Sequence, residues 1–141
     1  MPADAATIAK FNSAIARETE DKRLDADVVG PGVATLLADP SKGRYWVAES
    51  GGQIVGQLMV TYEWSDWRNG VFWWVQSVYV RADHRRQGIY RRLYQHVKQL
   101  AASHDVCGFR LYVERDNAVA QQTYAAMGMH ETVYKMFEEP K

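Results

Sequence analysis

Apolar side chains recur at Ile8, Phe11 and Ile15, with Ala16 beside them, in an otherwise polar stretch that opens at Asp4. That spacing predicts an amphipathic helix over 5–20 with Asp4 as its cap. A shorter helix is expected over 28–37, with Gly30-Pro31-Gly32 near its start. The period then changes to two. Arg44 to Glu49 alternates around Tyr45, Trp46 and Val47 and reads as a strand, and Gly51-Gly52 turns the chain into a second strand from Gln53 to about Glu63. Residues 65–70 form a loop ending in Asn69-Gly70, a strong turn signal. Val71 to Val80 is dense in aromatic and β-branched residues, as in a central strand. Ile89, Leu93, Val97 and Leu100 share one face of a helix expected over 88–103. Phe109 to Val113 reads as a strand, Asn117 to Met127 as a helix stopped by Gly128, and His130 to Phe137 as a closing strand. The order α-α-β-β-β-α-β-α-β predicts one α/β domain over 1–141, a three-layer mixed sheet with helices on both faces.

Composition narrows the function classes. Seventeen basic side chains balance seventeen acidic ones, so no global field favours nucleic acid or an anionic membrane. The basic clusters His84-Arg85-Arg86 and Arg91-Arg92 stand without a nucleic-acid motif, and a nucleic-acid partner is not expected. Cys107 is the only cysteine, and His84, His96, His104 and His130 have no ligand spacing, so no metal is expected. The N-terminus lacks signal-peptide features, and no apolar run approaches the ~18 residues of a membrane span. A soluble, cytoplasmic protein is expected.

The most informative stretch follows the central strand: Val78-Tyr79-Val80-Arg81-Ala82-Asp83-His84-Arg85-Arg86-Gln87-Gly88-Ile89-Tyr90-Arg91-Arg92. An apolar strand ends, a charged loop follows, and a helix opens at a glycine. Free N–H groups and the positive end of the helix dipole coincide there, a geometry that suits phosphate, with arginines around it. A solvated basic turn is the plainer alternative.

Arg85-x-x-Gly88-x-Tyr90 resembles the Q/R-x-x-G-x-G/A motif of the GNAT (Gcn5-related) N-acetyltransferases. The run from Glu114 to Met129, with Asn117, Ala120, Tyr124 and Gly128, resembles that family's second signature. The resemblance covers roughly residues 4–138 and implies a mostly antiparallel central sheet and acetyl-CoA as co-substrate. It assigns the pyrophosphate to Arg85 and to the backbone of Arg86, Gln87, Gly88, Ile89, Tyr90 and Arg91. It assigns the pantetheine arm to Asn117 and to the Val78-Tyr79-Val80 strand, beside which the neighbouring strand splays away. Tyr90 replaces the family's small residue, and the anion site survives if its ring points away. Asn117 is equally a helix N-cap, and Tyr124 equally a core aromatic.

By the same resemblance Tyr124 lies near the thioester sulfur and is the candidate acid for the departing thiolate. An alkyl amine is an ammonium below pH ~10 and must lose a proton before it attacks. Many relatives carry a glutamate on the central strand where this chain has Gln76, which cannot act as a base, so Glu63 is the candidate acceptor. Trp64, Trp67 and Trp74, with Glu63, combine aromatic faces and carboxylate as an amine site would, and Glu18, with Glu20, could add acidic lining. The expected function is acetyl transfer to a primary amine by direct attack in a ternary complex. The alternative is a non-catalytic module that binds acetyl-CoA. The chain begins almost at its first helix and ends after one expected strand, which leaves sheet edges open, so a homodimer is expected.

Overall fold

In the computed structural model, which describes residues 1–141, the leading amphipathic segment forms helix α1 (Ala5–Glu20). Ile8, Phe11 and Ala16 are its buried residues. Asp4 does not cap it with its side chain: it closes a short 3-10 turn (Pro2–Asp4), and its carboxylate meets the N-terminal ammonium at 3.3 Å. Helix α2 (Ala26–Ala38) starts earlier than the glycine–proline cluster suggested, because the Asp25 carboxylate accepts from Asp27 N–H at 2.9 Å and caps it there.

Strands β1 (Arg44–Ser50), β2 (Gln53–Ser65) and β3 (Gly70–Val80) follow as an antiparallel meander. Helix α3 (Ile89–Ala101) then crosses back over the sheet, and strand β4 (Val106–Arg110) joins β3 in parallel. The sheet order is β1-β2-β3-β4, mostly antiparallel as expected. Strand β4 lies earlier than the predicted 109–113. Its position is set by pairing with residues 71–74 of β3, which outweighs the weak strand preference of Cys107-Gly108. Helix α4 (Ala118–Ala126) completes the regular structure. The predicted closing strand does not form, and residues 130–137 belong to no ladder. No helix is long and apolar enough to cross a membrane.

One face of the sheet carries Val55, Leu58, Val60, Trp73 and Val75, against which α3 packs Ile89, Leu93, Tyr94, Val97 and Ala101. Gly56 permits the close approach of the α3 N-terminus, since a Cβ there would stand 3.1 Å from the Ile89 side chain. On the other face, Phe11 of α1 meets Tyr79 with ring centroids 4.9 Å apart. Gln57, fully buried there, donates from Nε2 to Asn12 Oδ1 at 2.8 Å and to Ser77 C=O at 2.9 Å. Ser77 has φ +50° and sits where the β2–β3 register shifts, so Gln57 ties α1 to a bulge in β3.

Candidate functional site

Strand β3 ends at Val80 and the chain reaches α3 through a tight turn in which Arg86 and Gly88 have φ +62° and +76°. These left-handed residues turn successive amides toward one side, and the first ladder bond of α3 is Arg92 N–H to Gly88 C=O at 3.0 Å. The amides from Arg86 to Arg91 have no backbone acceptor, and no side chain caps the helix. A Cβ on Gly88 would meet nothing within 4 Å, so the turn is open to a bulky anion. Arg86 and Arg91 are exposed and unpaired. Arg85 is not: its Nε donates to Val80 C=O at 2.8 Å and its Nη2 meets Glu18 Oε2 at 2.8 Å, with the guanidinium 5.4 Å from the Tyr79 ring centre. Glu18, expected among the acidic lining of an amine site, therefore sits against the phosphate-type turn.

Strands β3 and β4 pair from Val71↔Val106 to Trp74↔Arg110 and then part, although β3 runs on to Val80. Arg81 N–H donates to Val55 C=O at 2.8 Å across β2, so the backbone groups of Val80 and Val78 turn to the side that β4 has left. This opening lies beside Val78-Tyr79-Val80. Tyr90, Tyr94 and Tyr124 gather on the α3 face. The Tyr90 ring stacks on Tyr94 at 6.2 Å and meets the Tyr124 ring edge-on at 5.9 Å, so it points inward and leaves the turn clear. Its hydroxyl is buried without a hydrogen-bond partner. Burial pushes all three phenols up, with Tyr124 and Tyr94 adding to the effect on Tyr90. Burial, and then the Glu18 carboxylate, raise Tyr79 as well, against the opposing pull of Arg85. Asn117 does cap α4, its Oδ1 accepting from Ala120 N–H at 3.2 Å, which leaves its Nδ2 group unused by the cap.

Glu63, Phe72, Trp74 and Arg110 lie on the opposite face, at the point where the strands part. Glu63 Oε1 accepts from Trp74 Nε1 at 3.2 Å and from Arg110 Nη1 at 3.1 Å, and Oε2 has no partner. The Arg110 guanidinium lies 3.7 Å from the Phe72 ring centre. Glu63, Phe72 and Arg110 line a cavity of about 150 Å³ with Trp64, Asp66 and Trp67, and Trp74 stands beside it through its bond to Glu63. Trp64 and Trp67 are 60% and 89% exposed, so both stand free of the core, whereas Trp73 packs inside it with Phe109. A larger cavity of about 480 Å³ lies between β1 and the far side of α3, lined by Trp46, Glu49, His84, Arg92 and His96, away from both the tyrosines and Glu63. No cluster of three or more His, Cys, Asp or Glu side chains could hold a metal ion.

Arg110 and Gln57 were not singled out from the sequence. Arg110 stands far along the chain from Glu63, and nothing local to either residue announces the pairing. Gln57 lies in an apolar run that signals only a buried strand.

The family model for the acetyltransferase (GNAT) family matches residues 10–129. Among solved structures, a possible acetyltransferase from Clostridium difficile 630 is 46% identical, with TM-score 0.94 over 100% of this chain and 93% of that one. A ribosomal-protein-alanine N-acetyltransferase from Brucella melitensis biovar Abortus 2308 shares the fold at 18% identity, TM-score 0.79, covering 100% of this chain and 96% of that one. A predicted acetyltransferase from Clostridium acetobutylicum, solved with acetyl-CoA, does so at 16% identity, TM-score 0.80, covering 99% and 92%. No functionally curated protein matches the chain.

Proposed function

Because the chain belongs to the acetyltransferase (GNAT) family, and is thereby an N-acetyltransferase, we propose that it transfers the acetyl group of acetyl-CoA to a primary amine by direct attack in a ternary complex. The observation that carries this reading is the run of unpaired amides at Arg86 to Arg91, open at Gly88, directly beside the gap between β3 and β4. The amides and the α3 dipole suit the pyrophosphate, with Arg86 and Arg91 adding charge. The backbone edge at Val78 and Val80, which β4 leaves unpaired and where the Val80 C=O already accepts from Arg85 Nε, suits the amide groups of the pantetheine arm. The inward turn of Tyr90 removes the steric objection that its side chain raised.

Acetyl-CoA supplies a thioester carbonyl open to attack by nitrogen. The chain's residues then divide the remaining work between the two faces of the sheet, which the gap connects. On one face Glu63 Oε2 takes up, through intervening water, the proton that the amine gives up, since Glu63 pairs with Phe72 rather than with Val78, while Trp74 and Arg110 hold the other oxygen and fix the carboxylate. Trp64, Trp67 and Trp74 present aromatic faces to the cationic form of the substrate before it is deprotonated. In the gap, the Val78 N–H donates to the developing oxyanion. On the other face Tyr124, kept protonated by its burial, gives its proton to the departing thiolate.

Calorimetric titration with acetyl-CoA and CoA tests the site. Both ligands should bind the intact chain, and Gly88→Asp, which places a carboxylate where the phosphates would lie, should weaken both by about tenfold or more, ~1.4 kcal/mol, with the fold unchanged by circular dichroism. Equal binding by the variant would remove the turn from the site, and no binding by the intact chain would overturn the proposal.

A further inference from the structure

Residues 131–137 carry β-branched and aromatic side chains, as a strand does, and pair with nothing. Val133 and Phe137 are 93% and 92% exposed, and Tyr134 and Met136 are 68% and 65% exposed. The one hydrogen bond in residues 130–141 joins Tyr134 N–H to Thr132 Oγ1 at 3.2 Å. So much apolar surface on a short extended segment marks an interaction surface rather than a solvated tail. The preceding residue Met129 is tied to α4 through its N–H to Tyr124 C=O at 3.1 Å and packs against the core, so the exposed segment springs from a fixed point.

A second unfilled feature belongs to the same chain. Strand β4 is an edge of the sheet, and its sequence Val-Cys-Gly-Phe-Arg has neither proline nor lysine to discourage pairing. The tail passes near this edge without joining it: the Tyr134 ring centre lies 5.9 Å from the Arg110 guanidinium, yet no ladder bond forms between the two segments. An unpaired strand and an unpaired edge on one molecule are two halves of a self-complementary contact.

We propose that the tail of one chain adds as a strand to the β4 edge of a second copy, and the second copy's tail to the first, giving a symmetric dimer. The reciprocal exchange fills both features at once and closes with two-fold symmetry, leaving no open end to propagate. A formal net charge of zero offers no electrostatic opposition to self-association. The added strand satisfies the backbone groups of β4 and covers Val133 and Phe137 in the same step, as strand addition does elsewhere. The inference stands on the tail and the edge alone, independently of acetyl transfer.

Light scattering at micromolar concentration should give the intact chain twice its 16.1 kDa mass. A chain ended at Met129, and separately a Val133→Lys, Phe137→Asp double variant, should each give the single mass while keeping the circular dichroism of the fold. The intact chain at 16.1 kDa, or either variant still at twice that mass, would overturn the proposal. Where the contact lies is read separately, using Cys107, which is exposed on the β4 edge. In a mixture of the intact chain with a Cys107→Ser, Met136→Cys chain, a short bismaleimide should link the two into one band. A dimeric sample that yields no such band would place the interface elsewhere and defeat the strand addition.

Discussion

Burial holds the Tyr124 hydroxyl protonated above the ordinary tyrosine value of 10.0, so it stays a proton donor through the whole range in which an amine is free to attack. The alkaline limb of the kcat profile should therefore lie above pH 10, and Tyr124→Phe should lower kcat by about 100-fold, the usual scale of a lost general acid, with little change in the KM for the amine. Glu63→Gln should flatten the acid limb, and a profile identical to that of the intact enzyme would remove Glu63 as the base. The two residues were legible in different degrees. Tyr124 sits in a motif with fixed spacing, whereas Glu63 was chosen because Gln76 disqualified the central strand. What the sequence did not disclose was the company Glu63 keeps: Trp74 and Arg110 reach it only because β2, β3 and β4 lie side by side. The Gln76 amide, for its part, donates from Nε2 to Thr61 Oγ1 at 2.7 Å, a polar cross-strand link rather than a proton acceptor.

At the scale of elements, α1 and the β3–α3 turn are joined by one side chain. Arg85 spans Val80 C=O and Glu18, so the end of the first helix is latched to the turn that offers its amides to the anion. Both side chains of that ion pair are 43% exposed, and exposed pairs contribute only about 0–1 kcal/mol to folding. Its importance would lie in the shape of the turn rather than in global stability. Glu18→Ala should accordingly leave the melting temperature within a few degrees, about 4 °C, and weaken acetyl-CoA binding about threefold to tenfold. An unaltered affinity for acetyl-CoA with a raised KM for the amine would instead return Glu18 to the acceptor side, where its acidity first suggested it belonged. The motif arginine was readable as a charge near phosphate. Its actual partner, in a helix at the other end of the chain, was not.

The whole molecule carries its own pH signature through the tyrosine cluster. Tyr90, Tyr94 and Tyr124 all have raised values in the folded state, whereas an unfolded chain loses these protons near 10.0. Above that pH the unfolded state binds fewer protons, so stability is fully retained below about pH 10 and falls as the pH climbs toward the folded values. Urea midpoints should be flat to about pH 9 and decline above about pH 10, and Tyr90→Phe should shallow the decline. Because the Tyr90 hydroxyl is buried without a partner, the same substitution should cost nothing at neutral pH and could stabilise by up to ~1 kcal/mol. By itself the sequence determined what local chemistry determines: the helical period of α1 and α3, the Gly51-Gly52 and Asn69-Gly70 turns, and the glycine that opens α3 beneath a run of free amides. These depend on side-chain spacing and backbone freedom within a few residues. Tertiary structure alone decided where β4 lies, which way the Tyr90 ring turns, that Arg85 is spent on Glu18, and that residues 130–137 find no strand to join. Each of those turns on which groups become neighbours after the chain has folded, and neighbours far apart in sequence leave no periodic trace in it.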